Sequence, residues 1–270
     1  MLCLIVTSIF FIACEKKNIN VNSPTYFNVD FKEIKIGENH NRYLISAFEK
    51  ISKSIKTKEA YRLSENEQQE YREILIADFE TIEYDPTPIG FDTYQNFLLD
   101  ALNWTDTLML HDFDLLNLGG SYITQSAEVF VHEILSEIDN SITLQEMQQK
   151  LLSIETRVGN SLTGADLDIV LGTLEIAKSS AYLWAPESEG GYDLYTKTFG
   201  ARPIIDGRVV ESACCWWKRA IKGDVVASAS YFGRLGGAIA LGAAPGTNAV
   251  ILGGWGISAA IGSGLGALGL

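Results

Sequence analysis

Between Leu235 and Leu270 the chain carries no charged side chain, and glycine and other small residues recur through that stretch at helical spacing. Few folds accommodate such a segment. Ser258, Gly262 and Gly266 fall four apart, as do Ala229, Gly233 and Gly237, and Gly242 and Gly246, so each set lines one stripe of a helix. In water each interior glycine costs about 1 kcal/mol relative to alanine. In lipid, stripes of small residues let two helix backbones approach closely, which is how helices associate where apolar burial adds no driving force. Residues 225–270 are therefore expected to form a helical hairpin, broken at Pro245-Gly246, that inserts into a membrane or self-associates as a homo-oligomer. Thr247 to Leu270 as a helix is roughly 36 Å long at 1.5 Å per residue, sufficient for a hydrocarbon core of about 30 Å. Val225 to Ala244 is also long enough, but Arg234 at its centre costs about 2.5 to 3.5 kcal/mol on insertion scales. The alternative is a small-residue hairpin packed on the rest of the chain. Trp255 and the Val250-Ile251-Leu252 run favour burial of one kind or the other over disorder.

The opposite end indicates a location. Leu2 to Ile12 is an apolar run of signal-peptide length, too short to span a bilayer, and it ends at Phe11-Ile12-Ala13-Cys14. That ending resembles a bacterial lipobox, which implies cleavage before Cys14 and acylation of its thiol. Residues 1–13 are then a lipoprotein signal peptide and 14–37 a polar tether, with membrane lipid as partner and the cell envelope, at the outer membrane, as location. With Cys3 removed and the Cys14 thiol acylated, only the adjacent pair Cys214 and Cys215 keeps free thiols. One peptide step is shorter than the usual Cα separation of a disulfide, so no internal disulfide framework is available.

Helical periodicity dominates residues 38–185. Tyr43, Leu44, Ala47, Phe48 and Ile51 recur at three-and-four spacing. Ser64 with Glu67, and Thr143 with Glu146, read as capping boxes for the helices that follow them. Further segments run from about Phe91 to Trp104, from Ser126 to Ile138 after the Leu118-Gly119-Gly120 breaker, and from Thr163 to Trp184. Short polar joints and the near absence of alternating patterns predict an all-α helical bundle domain, followed by the glycine-rich C-terminal helical hairpin. Residues 186–224 are expected to link the two. They carry Trp216, Trp217, Lys218, Arg219 and Lys222, a basic aromatic collar of the kind that sits at lipid headgroups.

Chemistry is sparse. A net charge of −13 and a sequence pI near 4.7 exclude the basic face that nucleic-acid binding requires. His132-Glu133 begins like a zinc-protease motif, but Ser136 stands where the second histidine belongs. His111, Asp112 and Asp114 read as a capping loop ahead of a cation site. No nucleophile elbow or phosphate loop occurs. The sequence therefore predicts no catalytic residue, no metal site, no cofactor and no enzyme, although a carboxylate-based site of unfamiliar form stays open.

The helix ending Ala177-Lys178-Ser179-Ser180-Ala181-Tyr182-Leu183-Trp184, followed by Trp216-Trp217-Lys218 and the glycine-rich tail, resembles a group of uncharacterised Bacteroidetes lipoproteins. That resemblance implies an architecture and no chemistry. The tail also looks like the membrane-active glycine-rich helices of class II bacteriocins, which implies a bacteriocin-like effector. The lipoprotein signal and the large preceding domain depart from a bacteriocin precursor. An envelope binding module, with its tail packed as a hairpin, is the competing expectation.

Overall fold

The computed structural model describes residues 35–55, 64–83, 92–110, 123–200, 204–205, 208–209, 216–240 and 247–268. The fold is all-α. Its helices are α1 (Ile36–Ser54), α2 (Glu65–Phe79), α3 (Tyr94–Leu110), α4 (Gln125–Asn140), α5 (Leu144–Ser161), α6 (Gly164–Trp184), α7 (Leu194–Phe199), α8 (Trp216–Ala240) and α9 (Thr247–Leu268). A 3₁₀ turn at Glu187–Glu189 precedes α7. One antiparallel ladder, with Ile204 opposite Val209 and Ile205 opposite Arg208, lies between α7 and α8.

Local sequence explains several of these boundaries. Ser64 Oγ accepts the Glu67 N–H at 3.3 Å, and the Ser64 N–H donates to the Glu67 carboxylate at 2.7 Å, completing a capping box at the start of α2. Thr143 caps α5 by accepting the Glu146 N–H at 3.2 Å. Its box is not reciprocal, because the Glu146 carboxylate reaches one residue further back to the Ile142 N–H, at 2.9 Å. Thr124 caps α4 in the same way, and its hydroxyl donates to Asp166 at 2.6 Å, joining the starts of α4 and α6.

The amphipathic helices wrap around the tail. In α1 the buried positions are Ile36, Gly37, His40, Leu44, Ala47, Phe48 and Ile51, a stripe at the three-and-four spacing of a core-facing helix. That stripe meets α6 and α9. Helix α9 also packs against α8, α2 and α3, and α8 packs against α6. Trp255, Ile257, Ile261 and Leu265 of α9 therefore share one core with Phe48, Leu75, Leu174 and Trp184. The stretches 38–185 and 225–270 contribute to it together.

Glycine makes the central contacts possible. A Cβ at Gly262 would lie 2.6 Å from the Ala227 Cβ and 2.7 Å from the Gly223 carbonyl oxygen, and one at Gly223 would lie 2.7 Å from the Gly262 oxygen. The α8 and α9 backbones touch there. On α6, a Cβ at Gly172 would fall inside the Trp255 indole. Among the described residues no helix is long and apolar enough to cross a membrane.

Candidate functional site

Four helices place polar side chains at one point inside the bundle. His40 (α1) and Asp224 (α8) are fully buried, with His40 Nε2 3.0 Å from Asp224 Oδ1. Asp224 Oδ2 accepts the Ser263 hydroxyl of α9 at 2.7 Å and the Ser180 hydroxyl of α6. Ser263 also accepts the Trp184 indole N–H at 2.6 Å. On the far side of the imidazole, His40 Nδ1 lies 2.9 Å from Asn41 Oδ1, and the Asn41 amide is oriented by donating to the Ser179 carbonyl at 2.9 Å.

Both ring nitrogens of His40 thus face oxygen atoms, an arrangement that favours a proton on each. Burial works against that charge. The Asp224 charge and the hydrogen bonds to Asp224 and Asn41 outweigh it, and the His40 pKa is raised above 6.5. Burial also pushes the Asp224 carboxyl up, while His40, Ser180 and Ser263 act in the opposite sense. A second polar contact lies nearby, where Ser228 donates to Thr173 at 3.3 Å and accepts the Trp255 indole N–H.

Histidine, aspartate and serine together invite comparison with a hydrolytic triad. The order is wrong for one. In a triad the imidazole stands between hydroxyl and carboxylate and takes the hydroxyl proton. Here Ser180 and Ser263 both bond the carboxylate, and neither bonds the ring. With His40 and Asp224 both at zero exposure, the arrangement ties α1, α6, α8 and α9 together inside the bundle.

The accessible feature lies directly above it. A groove of about 630 Å³ runs between α1 and α6, walled by Glu38, Asn41, Arg42 and Ile45 on one side and Glu175, Lys178, Ser179 and Tyr182 on the other, with Gln148 of α5 at its edge. Each wall is one helical face at i, i+3, i+4 and i+7. Asn41 belongs to both groove and buried cluster.

Of the sequence-derived positions, Ala229 and Ser258 are buried, and Gly262 meets Gly223 and Ala227 of α8 in the same chain. Gly233 and Gly237 lie within α8 and Gly266 within α9. Cys14, Gly242, Gly246, the cysteine pair and the His111 to Asp114 cluster lie outside the described residues. The collar residues open α8; the Trp216 side chain lies outside the described residues, and the other four do not share one surface. Trp217 is fully buried, and Lys218, 5 % exposed, donates to the Asp139 carbonyl at 2.8 Å. Lys222 pairs with the Asp139 carboxylate at 2.9 Å, and Arg219 is exposed. His132 is exposed, 3.6 Å from Glu128, and Glu133 pairs with Arg157. Among the described residues no three His, Cys, Asp or Glu side chains form a metal-ligand group. The His40–Asp224 pair escaped the sequence reading. Its one sequence signal is a histidine occupying the apolar stripe of α1, four residues before Leu44. No protein-family model matches this chain, and neither does any curated protein or solved structure.

Proposed function

We propose that this chain is a lipid-anchored protein of the bacterial outer membrane, acylated at Cys14, whose helical body is a binding module built around its own glycine-rich hairpin. One observation carries the reading: α9 supplies Trp255, Ile261 and Leu265 to the centre of the body, and its Gly262 is already occupied by α8 of the same chain. A stripe engaged within the chain does not offer itself to a second copy. Among the described residues, the groove between α1 and α6 is an exposed concave feature. The protein is read as a binder and not as an enzyme, with no cofactor, metal or nucleic acid among its ligands.

A second reading is favoured by the charge-free composition of α9. A charge-free helix can lie at a lipid surface as well as in a protein core, so a hairpin that leaves the bundle would be a membrane-associating or self-associating element, as in a bacteriocin-like effector. The unacylated Cys14→Ser protein separates the two. A packed hairpin leaves it monomeric in detergent-free buffer and in the supernatant after sedimentation with liposomes, and Gly262→Ile then lowers its melting temperature. Recovery of the protein with liposomes, as oligomers that Gly262→Ile abolishes without releasing the protein, would reverse the choice. The anchor itself is tested by labelled palmitate, which the wild type incorporates and Cys14→Ser does not.

A further inference from the structure

Building on the reading of the body as a binding module, we infer that the groove between α1 and α6 takes a small amphipathic carboxylate, with its acid group on Arg42 and its apolar part over Ile45 and Tyr182. The charges lining the groove single out Arg42. Lys178 Nζ sits 3.1 Å from Glu155 and 3.0 Å from Glu175, so its charge is answered twice. Glu38 is paired with Lys35 at 2.9 Å. The Arg42 guanidinium lies over the Tyr43 ring, 5.5 Å from its centroid, and makes no ion pair among the described residues. A planar fork of donors without a carboxylate is built to receive one bidentately.

The apolar part of the site follows from helix geometry. Ile45 stands three residues after Arg42 and so shares its face of α1, and Tyr182 on the opposite wall leaves 48 % of its surface exposed. The groove is a shallow depression of about 630 Å³, open to solvent. The net charge of −13 gives no general attraction to anions. An anion that binds here is held by local contacts, within the Debye length of about 8 Å at physiological salt.

The groove also carries its own reporter. Asn41 accepts from His40 Nδ1 beneath it, and that N–H is shielded from water, so an occupant pressing on Asn41 moves a resonance far from the crowded part of the spectrum. The full chain, isotopically labelled, is titrated at neutral pH and physiological salt with octanoate, octanol and octylammonium below their aggregation concentrations. Octanoate shifts the Arg42 guanidinium, the Tyr182 ring and the His40 Nδ1–H together, and binds about tenfold more tightly than octanol, as one charge-assisted contact warrants. Arg42→Gln brings octanoate down to the level of octanol and leaves octanol unchanged, whereas Tyr182→Ala weakens both. Equal binding of octanoate and octanol, or an Arg42→Gln protein that still prefers octanoate, overturns the carboxylate assignment and leaves the groove as a binding site. No response of these residues to any of the three probes overturns the binding-module reading with it.

Discussion

Asp168 lies on α6 at 8 % exposure, its Oδ2 has no hydrogen-bond partner among the described residues, and burial raises its pKa from 3.8 to about 7. The folded chain therefore holds a proton there that the unfolded chain releases. Stability from this group is full below pH 3.8, declines as pH rises, and is lost by about pH 7. At about 1.4 kcal/mol per pKa unit the decline amounts to about 4 kcal/mol, a large share of the 5 to 15 kcal/mol that holds a domain folded. Asp168→Asn preserves the shape and removes the titration. The variant should match the wild type near pH 4 and exceed it by up to about 4 kcal/mol at pH 8. Urea unfolding across that range reads the difference directly. His40 and Asp224 are also raised and contribute wild-type slope of the same sign, but they are common to both proteins and cancel in the difference. Parallel stability curves for the two proteins from pH 4 to 8 would refute the reasoning, since they would place Asp168 in water or beside a compensating donor.

Gly262→Ile sets a branched side chain against the Gly223 backbone and Ala227; overpacking of this kind costs about 1 to 3 kcal/mol, read as a lower midpoint in thermal unfolding. Removing one member of the buried pair, as in His40→Leu, strands the Asp224 charge and should cost about 3 to 5 kcal/mol, while His40→Leu combined with Asp224→Asn costs less than the sum, a coupling that a double-mutant cycle in urea measures. Gly172→Ala must displace the Trp255 indole, and the expected result is a red-shifted tryptophan emission that a Trp255→Phe background no longer shows. A chain ending at Cys215 loses Trp217, Val225, Trp255, Ile261 and Leu265 from the core, each worth about 1.5 to 3 kcal/mol, so its circular dichroism should show no cooperative melting.

The helices were legible where their signals are local. Ser64 and Glu67 are three residues apart, and the bonds between them form whatever the rest of the chain does. The stripe of α1 declares its inner face by spacing alone. The candidate site was not legible, because its parts are remote: His40 and Asp224 are 184 residues apart, and nothing in either neighbourhood names the other. The expected collar shows a second limit. Trp217, Lys218 and Arg219 are adjacent in sequence, but successive residues of a helix point about 100° apart. Two of them turn inward and the third turns to water. Lys218 can be buried because it finds the Asp139 carbonyl, a partner that composition could not supply. The small-residue stripes were visible as stripes, whereas the identity of what they touch depends on whether a partner helix stands in the same chain.

Helix α9 comes after every helix it packs against, and that order has a kinetic meaning. While α1, α2, α3 and α6 emerge, α1 can already close on α2 and α6, but the parts of these helices that face α9 stay uncovered. The nucleus must wait for contacts that span most of the chain, such as Trp184 with Ser263 and His40 with Asp224, and such long loops fold slowly. Until then the centre of the core is open to water. An interrupted product that lacks α9 keeps the packing of α4, α5 and α6 on one another but leaves the centre of the core uncovered, where proteases can reach it.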